Sequence, residues 1–139
     1  MSNYKEITIR LKKIGEYLKV LKFLKKRSLE DFKNDFVLKG ALERYLQLSA
    51  EASIDIGEII ISEKKLRTPM SHREVFDILG DERIISALLA KNFSEIAGFR
   101  NILVHDYVEI DVNKMYEYLQ NDLSDFDKFI KAIAKFLKK

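Results

Sequence analysis

Over the first 27 residues Ile7, Leu11, Ile14, Leu18 and Leu21 fall at alternating spacings of four and three, with lysines on the remaining faces. That is the stripe of an amphipathic helix, and it predicts one from about residue 3 to 27. Ser28 is a natural N-cap for a second helix, with Asp31 in its acidic first turn. Phe32, Leu38, Leu42, Tyr45, Ala52, Ile56 and Ile59 continue that helix to about residue 63, with a bend expected near Gly40. Residues 62 to 70, which hold the only proline, Pro69, read as a loop.

Ser71-His72-Arg73-Glu74 then has the form of a capping box that opens a short helix ended by Gly80, which leaves His72 exposed in a first turn. Asp81 is positioned to cap the next helix, whose stripe is Ile85, Leu89, Phe93, Ile96, Leu103 and Val104, with a possible interruption at Asn92 to Ser94. After a connector, Asp111 caps a last helix from 112 to about 137, carrying Met115, Leu119, Leu123, Phe126, Ile130, Ile133 and Leu137. Short loops make neighbouring helices antiparallel, so the pattern predicts an all-α, up-and-down bundle of four long helices and one short one.

A chain of 139 residues with 47% hydrophobic content suffices for a single domain over 1–139 with a real core. The absence of cysteine excludes a disulfide framework and a thiol nucleophile, and two histidines are too few for a dedicated structural metal site. There is no Gly-rich phosphate loop, no G-x-S-x-G elbow and no two-histidine metal pattern, so no cofactor or metal is expected. No long apolar run and no signal-peptide pattern is visible, so a soluble, cytoplasmic protein without a membrane partner is expected. The net charge of +3, from 25 basic and 22 acidic side chains, is too small to announce a nucleic-acid binder. The basic clusters Lys12-Lys13 and Lys19 to Arg27 fit solvated helix faces better than an RNA track. Asp106, Glu109 and Asp111 also disfavour a long polyanion near the end of the stripe that runs from Ile85 to Val104.

One residue breaks the pattern. On a helix, the neighbours of Arg100 at three and four residues either side are Ile96, Ala97, Leu103 and Val104, all apolar. A guanidinium keeps its charge, so it must meet a carboxylate, line a cleft or face another subunit. Asp55, with Glu51 near it, offers the structural account, a pair with Arg100. The chemical account starts from His105, five residues on and about 140° around the helix. Histidine exchanges protons near neutrality and arginine matches phosphate oxygens. A proton shuttle and a phosphate clamp are the minimum for cutting a phosphodiester through the 2′-hydroxyl of RNA without a metal. One helix does not aim both groups at one point, so a second copy would be needed to complete the site. Both accounts stay open on the residues alone.

The string Ala97-Gly98-Phe99-Arg100-Asn101-Ile102-Leu103-Val104-His105-Asp106-Tyr107, with its Arg100-x4-His105-x-Tyr107 core, resembles the signature of the HepT-like ribonuclease toxins of the HEPN superfamily. Upstream, Ala41 to Gln47, Ile54 to Gly57 and Ser71 to Phe76 resemble the same family in the same order. The resemblance implies a HEPN-like helical bundle acting as a homodimer on RNA without metal. It implies that His105 is the general acid and base, that Arg100 stabilises charge on the phosphorane, and that Asn101 orients phosphate or histidine. It also implies a nucleotidyltransferase antitoxin as partner, which silences the toxin by adenylylating Tyr107. The bland reading of Tyr107 is a ring packed on the stripe. The alternative function is an idle HEPN module that binds the nucleotidyltransferase or a nucleotide.

Overall fold

The computed structural model describes residues 3–103 and 111–138, and every regular element among them is a helix. In chain order these are α1 (Asn3–Leu24), α2 (Leu29–Asn34), α3 (Phe36–Glu63), α4 (His72–Asp81), α5 (Ala87–Leu103), α6 (Val112–Asn121) and α7 (Leu123–Leu137). The all-α bundle expected from the stripes is present, with α1, α3, α5 and the α6–α7 pair as its long members. The stripe positions Ile7, Ile14, Leu18 and Leu21 of α1 are buried, as are Met115, Leu119, Phe126 and Ile133 near the other end of the chain.

Two expected helices are each split in two, and an aspartate stands at both breaks. The long second helix stops at Asn34, because Asp35 takes an extended conformation (φ −122°, ψ 101°) and its carboxylate accepts from the amides of Val37 and Leu38. A side chain that captures the backbone donors of the next turn competes with helix continuation. The break therefore falls at Asp35, and Gly40 lies undisturbed inside α3. At its other end α2 begins as expected: the Ser28 hydroxyl accepts from the Asp31 amide, and Asp31 accepts from the Ser28 amide. The last helix divides at Asp122 into α6, capped by Asp111 as foreseen, and α7. Asp122 makes no capping bond with its side chain.

Smaller corrections concern helix ends, caps and continuity. α1 ends at Leu24, three residues before Arg27. Asp81 belongs to α4, and it is the Ser86 hydroxyl that accepts from the Leu89 amide at the start of α5. Helix α5 then runs without a break through Asn92 to Ser94. The box at Ser71 is half formed, since Glu74 accepts from the Met70 amide rather than that of Ser71, and His72 is half-buried rather than exposed.

Helices α1 and α3 run antiparallel. Arg10 approaches Asp55 (3.7 Å), whereas the later residue Tyr17 makes an edge-to-face contact with the earlier Tyr45, at 6.0 Å between centroids. At Gly57 an added Cβ would collide with a methyl of Val75, so α3 and α4 touch where only glycine fits. The centre of the core is a ring cluster. Phe93 of α5 lies 5.1 Å from Phe76 of α4, and 5.3 Å and 4.7 Å from Phe126 and Phe129 of α7. All four are buried, and they tie α5 to the helices on either side.

Candidate active site

Arg100 occupies the last turn of α5, where a cation complements the partial negative charge of the helix end. Its neighbours Ile96, Ala97 and Leu103 are buried, as the sequence required. The Arg100 side chain keeps 23% of its exposure, so it is lodged at the edge of the core and not sealed within it. One nitrogen, Nη2, lies 3.6 Å from Oε1 of Glu51 on α3, and Nη1 donates to Oδ1 of Asn101 at 3.2 Å. Nε is buried and has no hydrogen-bond partner among the described residues.

The acid facing Arg100 is therefore Glu51. Asp55, one turn further along α3, is turned toward Arg10 of α1 instead. Glu51 is itself held, because its Oε1 accepts from Nε2 of Gln47 at 2.7 Å, one turn earlier on the same helix. Gln47, Glu51 and Arg100 thus form a chain that fixes one side of the guanidinium while leaving another open. The structural account holds, with Glu51 as the acid, and the arginine side chain also keeps part of its surface accessible.

Asn101 is exposed and already engages Arg100 through its amide oxygen, which leaves its NH2 group as a free donor among the described residues. His105 and Tyr107 lie outside the described residues, as do Val104 and Asp106. In the sequence His105 is two residues beyond Leu103, the end of α5, and Tyr107 stands midway between Leu103 and Asp111. Among the described residues no group of three or more His, Asp or Glu is arranged to hold a metal ion. His72 is at the start of α4, away from Arg100 in the sequence, and no hydrogen bond ties it to the candidate site among the described residues.

Residue chemistry overlooked two features of this region. Gln47 sits at the margin of the α3 stripe and carries no pattern that marks it as the support of Glu51, the acid weighed beside Asp55 as partner of the arginine. Across α5 from Arg100, Arg73 of α4 lies directly over Gly98, where an added Cβ would overlap its guanidinium. The only sequence signal was Gly98 itself, as a place of close approach. Nearby, the Tyr118 phenol stacks on Phe99 at 4.5 Å, and its pKa is raised, chiefly by burial and then by Asp122 and Glu95, with Arg73 opposing. It is a proton donor at neutral pH.

These features define an all-helical protein with a partly exposed arginine, held by an acid, at the end of one helix. Comparison with known proteins narrows the class. Residues 11–133 match the family described as Ribonuclease HepT-like. A tRNA nuclease HepT from Aphanizomenon flos-aquae is 34% identical over 139 residues, covering 99% of this chain and 95% of the relative. An mRNA nuclease HepT from Shewanella oneidensis is 37% identical over 102 residues, covering 73% of this chain and 77% of the relative. The fold is similar to the solved structure of a tri-AMPylated Shewanella oneidensis HEPN toxin in complex with an MNT antitoxin. There the TM-score is 0.85 at 32% identity, over 93% of this chain and 96% of that one. The chain belongs to the HepT-like ribonucleases of the HEPN superfamily. No helix among the described residues is long and apolar enough to cross a membrane.

Proposed function

We propose that this ribonuclease is the toxin of a toxin–antitoxin pair and cuts RNA without a metal, through Arg100, Asn101 and His105 at the cleft of a homodimer. The observation that carries this reading is the arginine: a permanent charge wedged against a core, steadied from one side by Glu51 and Asn101, on a side chain still 23% exposed. A purely structural ion pair gives no reason to leave that face open. In the reaction, one His105 imidazole takes the proton of the 2′-hydroxyl as its oxygen bonds to phosphorus. The other gives a proton to the departing 5′-oxygen, leaving a cyclic phosphate and a free 5′-hydroxyl. Arg100 bears the charge that gathers on the phosphorane oxygens, and Asn101 donates from its free NH2.

The relatives support the partner. The Shewanella structure joins a HEPN toxin to an MNT antitoxin and carries AMP groups. By extension, a nucleotidyltransferase silences this chain by adenylylating Tyr107, which brings negative charge and bulk to where an RNA phosphate must dock. A second reading, an idle module that binds the nucleotidyltransferase, is favoured by the acidic residues Asp106, Glu109 and Asp111 beside the motif.

Incubation with total RNA in excess chelator separates the two. The parent should cleave and His105→Ala should not. Cleavage that survives the substitution removes the imidazole from the mechanism, and no cleavage by either protein favours the idle module. With the antitoxin and ATP, mass spectrometry should find AMP on the parent and none on Tyr107→Phe, and equal modification of both would move the acceptor elsewhere.

A further inference from the structure

Beside the last turn of α5 is a second cationic place that the reaction above does not use. A cavity of about 370 Å³ is lined by Arg73, Glu95, Gly98, Ile102, Lys114 and Tyr118. Among the described residues neither the Arg73 nor the Lys114 side chain has a hydrogen bond or an ion pair, although Glu95 lines the same cavity. Among the described residues, two cations without an ion-pair partner, one carboxylate and a protonated phenol give the wall a net positive charge and an O–H donor. Ile102 adds an apolar surface that is 44% exposed.

Location gives this cavity a purpose. Gly98 precedes Arg100 by two residues, about 200° around the helix, so Arg73 over Gly98 and the Arg100 guanidinium flank α5 on opposite sides. Lys114 lies in the first turn of α6, whose amide end is already met by the Asp111 carboxylate, so the attraction for an anion there comes from the ammonium itself. A nucleic-acid strand crossing the end of α5 meets Arg100 on one flank and the pair Arg73 and Lys114 on the other. The neighbouring cavity, lined by Asp77, Asp81, Lys91 and again by Arg73 and Glu95, has an acidic balance, so the favourable region spans about one phosphate and not a long track.

We propose that Arg73 and Lys114, with the Tyr118 hydroxyl, form a second phosphate subsite that grips the RNA phosphodiester adjacent to the one cleaved. This deepens the ribonuclease reading and rests on it. Gly98 is then part of the substrate site, because its missing side chain is what lets the Arg73 guanidinium lie against α5.

The test uses the full chain and a labelled single-stranded RNA, with binding measured on the His105→Ala background. Arg73→Gln and Lys114→Gln should each weaken the Kd about tenfold and flatten the slope of log affinity against log salt by about 0.7. Arg73→Lys should keep the slope, and Gly98→Ala should mimic Arg73→Gln by displacing the guanidinium. With the histidine restored, KM should rise and kcat should hold, as for a contact made equally in ground and transition states. If the parent binds and cuts RNA but both Gln variants match its Kd and slope, the subsite is overturned and the ribonuclease reading stands. If the parent neither binds nor cuts RNA, both fall. If Arg73→Gln leaves RNA affinity untouched yet slows transfer of AMP to Tyr107, the bound phosphate belongs to the nucleotide, and its assignment to RNA is overturned.

Discussion

Replacing Glu51 with glutamine tests how far the arginine depends on its acidic neighbour. The two charges lie 3.6 Å apart, which at an effective dielectric constant near 20 is an attraction of about 5 kcal/mol before other terms. Desolvation and side-chain ordering offset most of it. Exposed pairs net less than about 1 kcal/mol, whereas stranding one partner of a buried pair costs about 3 to 5 kcal/mol. Arg100 and Glu51 retain 23% and 30% of their side-chain exposure, and Glu51→Gln keeps a carbonyl that can accept from Gln47. The expected loss is therefore between those limits, about 1 to 2 kcal/mol, or about 3 to 7 °C in melting temperature for a domain of this size. The catalytic effect should be larger in proportion, because a guanidinium released from its tether spends less time where charge develops. A fall in kcat of about tenfold with little change in KM is expected. Calorimetry and RNA-cleavage kinetics on one preparation give both numbers. A drop beyond 10 °C with unchanged kcat would make the pair a structural clasp. An unchanged melting temperature with full activity would mean that Glu51 does not hold the arginine at all.

Two glycines in α3 should respond oppositely to the same substitution. Gly40 has nothing within 4 Å of an added Cβ, so Gly40→Ala should stabilise by about 0.5 to 1 kcal/mol through helix propensity; a lower denaturation midpoint would contradict this. Gly57→Ala forces its methyl onto Val75 and should cost about 1 to 3 kcal/mol. Val75→Ala in the same chain should recover part of that cost, and strict additivity would show that the clash was misjudged. Asp122 has its pKa raised, first by burial and then by Asp125, Glu95 and Glu117, so the folded state holds its proton more tightly than the unfolded chain. The resulting penalty is full above the folded pKa and fades as pH falls toward the unfolded value. Asp122→Asn should therefore raise the melting temperature at pH 7, with the advantage shrinking as the medium is made acidic, and an advantage that grows instead would reverse the assignment.

The helical character of the chain was legible because burial follows the stripes: Ile7, Ile14, Leu18 and Leu21 face the core at the spacing that announced them. The breaks at Asp35 and Asp122 were not, since apolar positions recur on both sides of each and only a competing carboxylate or a local turn interrupts the backbone. Start signals were ambiguous for a related reason. Asp81 and Ser86 are both good caps, and which one acts depends on where the chain between α4 and α5 must turn to pack Ile85. At the site, the oddity of Arg100 was evident from its neighbours, but the choice of Glu51 over Asp55 depends on how α3 crosses α5. Arg73 was hidden more completely. In sequence it is one polar residue in a first turn, and only the crossing of α4 over Gly98 brings it beside the end of α5.

The ring cluster around Phe93 has a mechanical corollary. Phe93 and Arg100 are seven residues apart on one face of α5, a lever arm of about 10 Å at 1.5 Å per residue. A tilt of about 5° at the clamped end would swing the free end by about 1 Å, a misplacement that can cost a reaction about a hundredfold. Shaving a ring from the interior, as in Phe126→Leu, can thus blunt the enzyme from a distance, through leverage and not through contact with RNA.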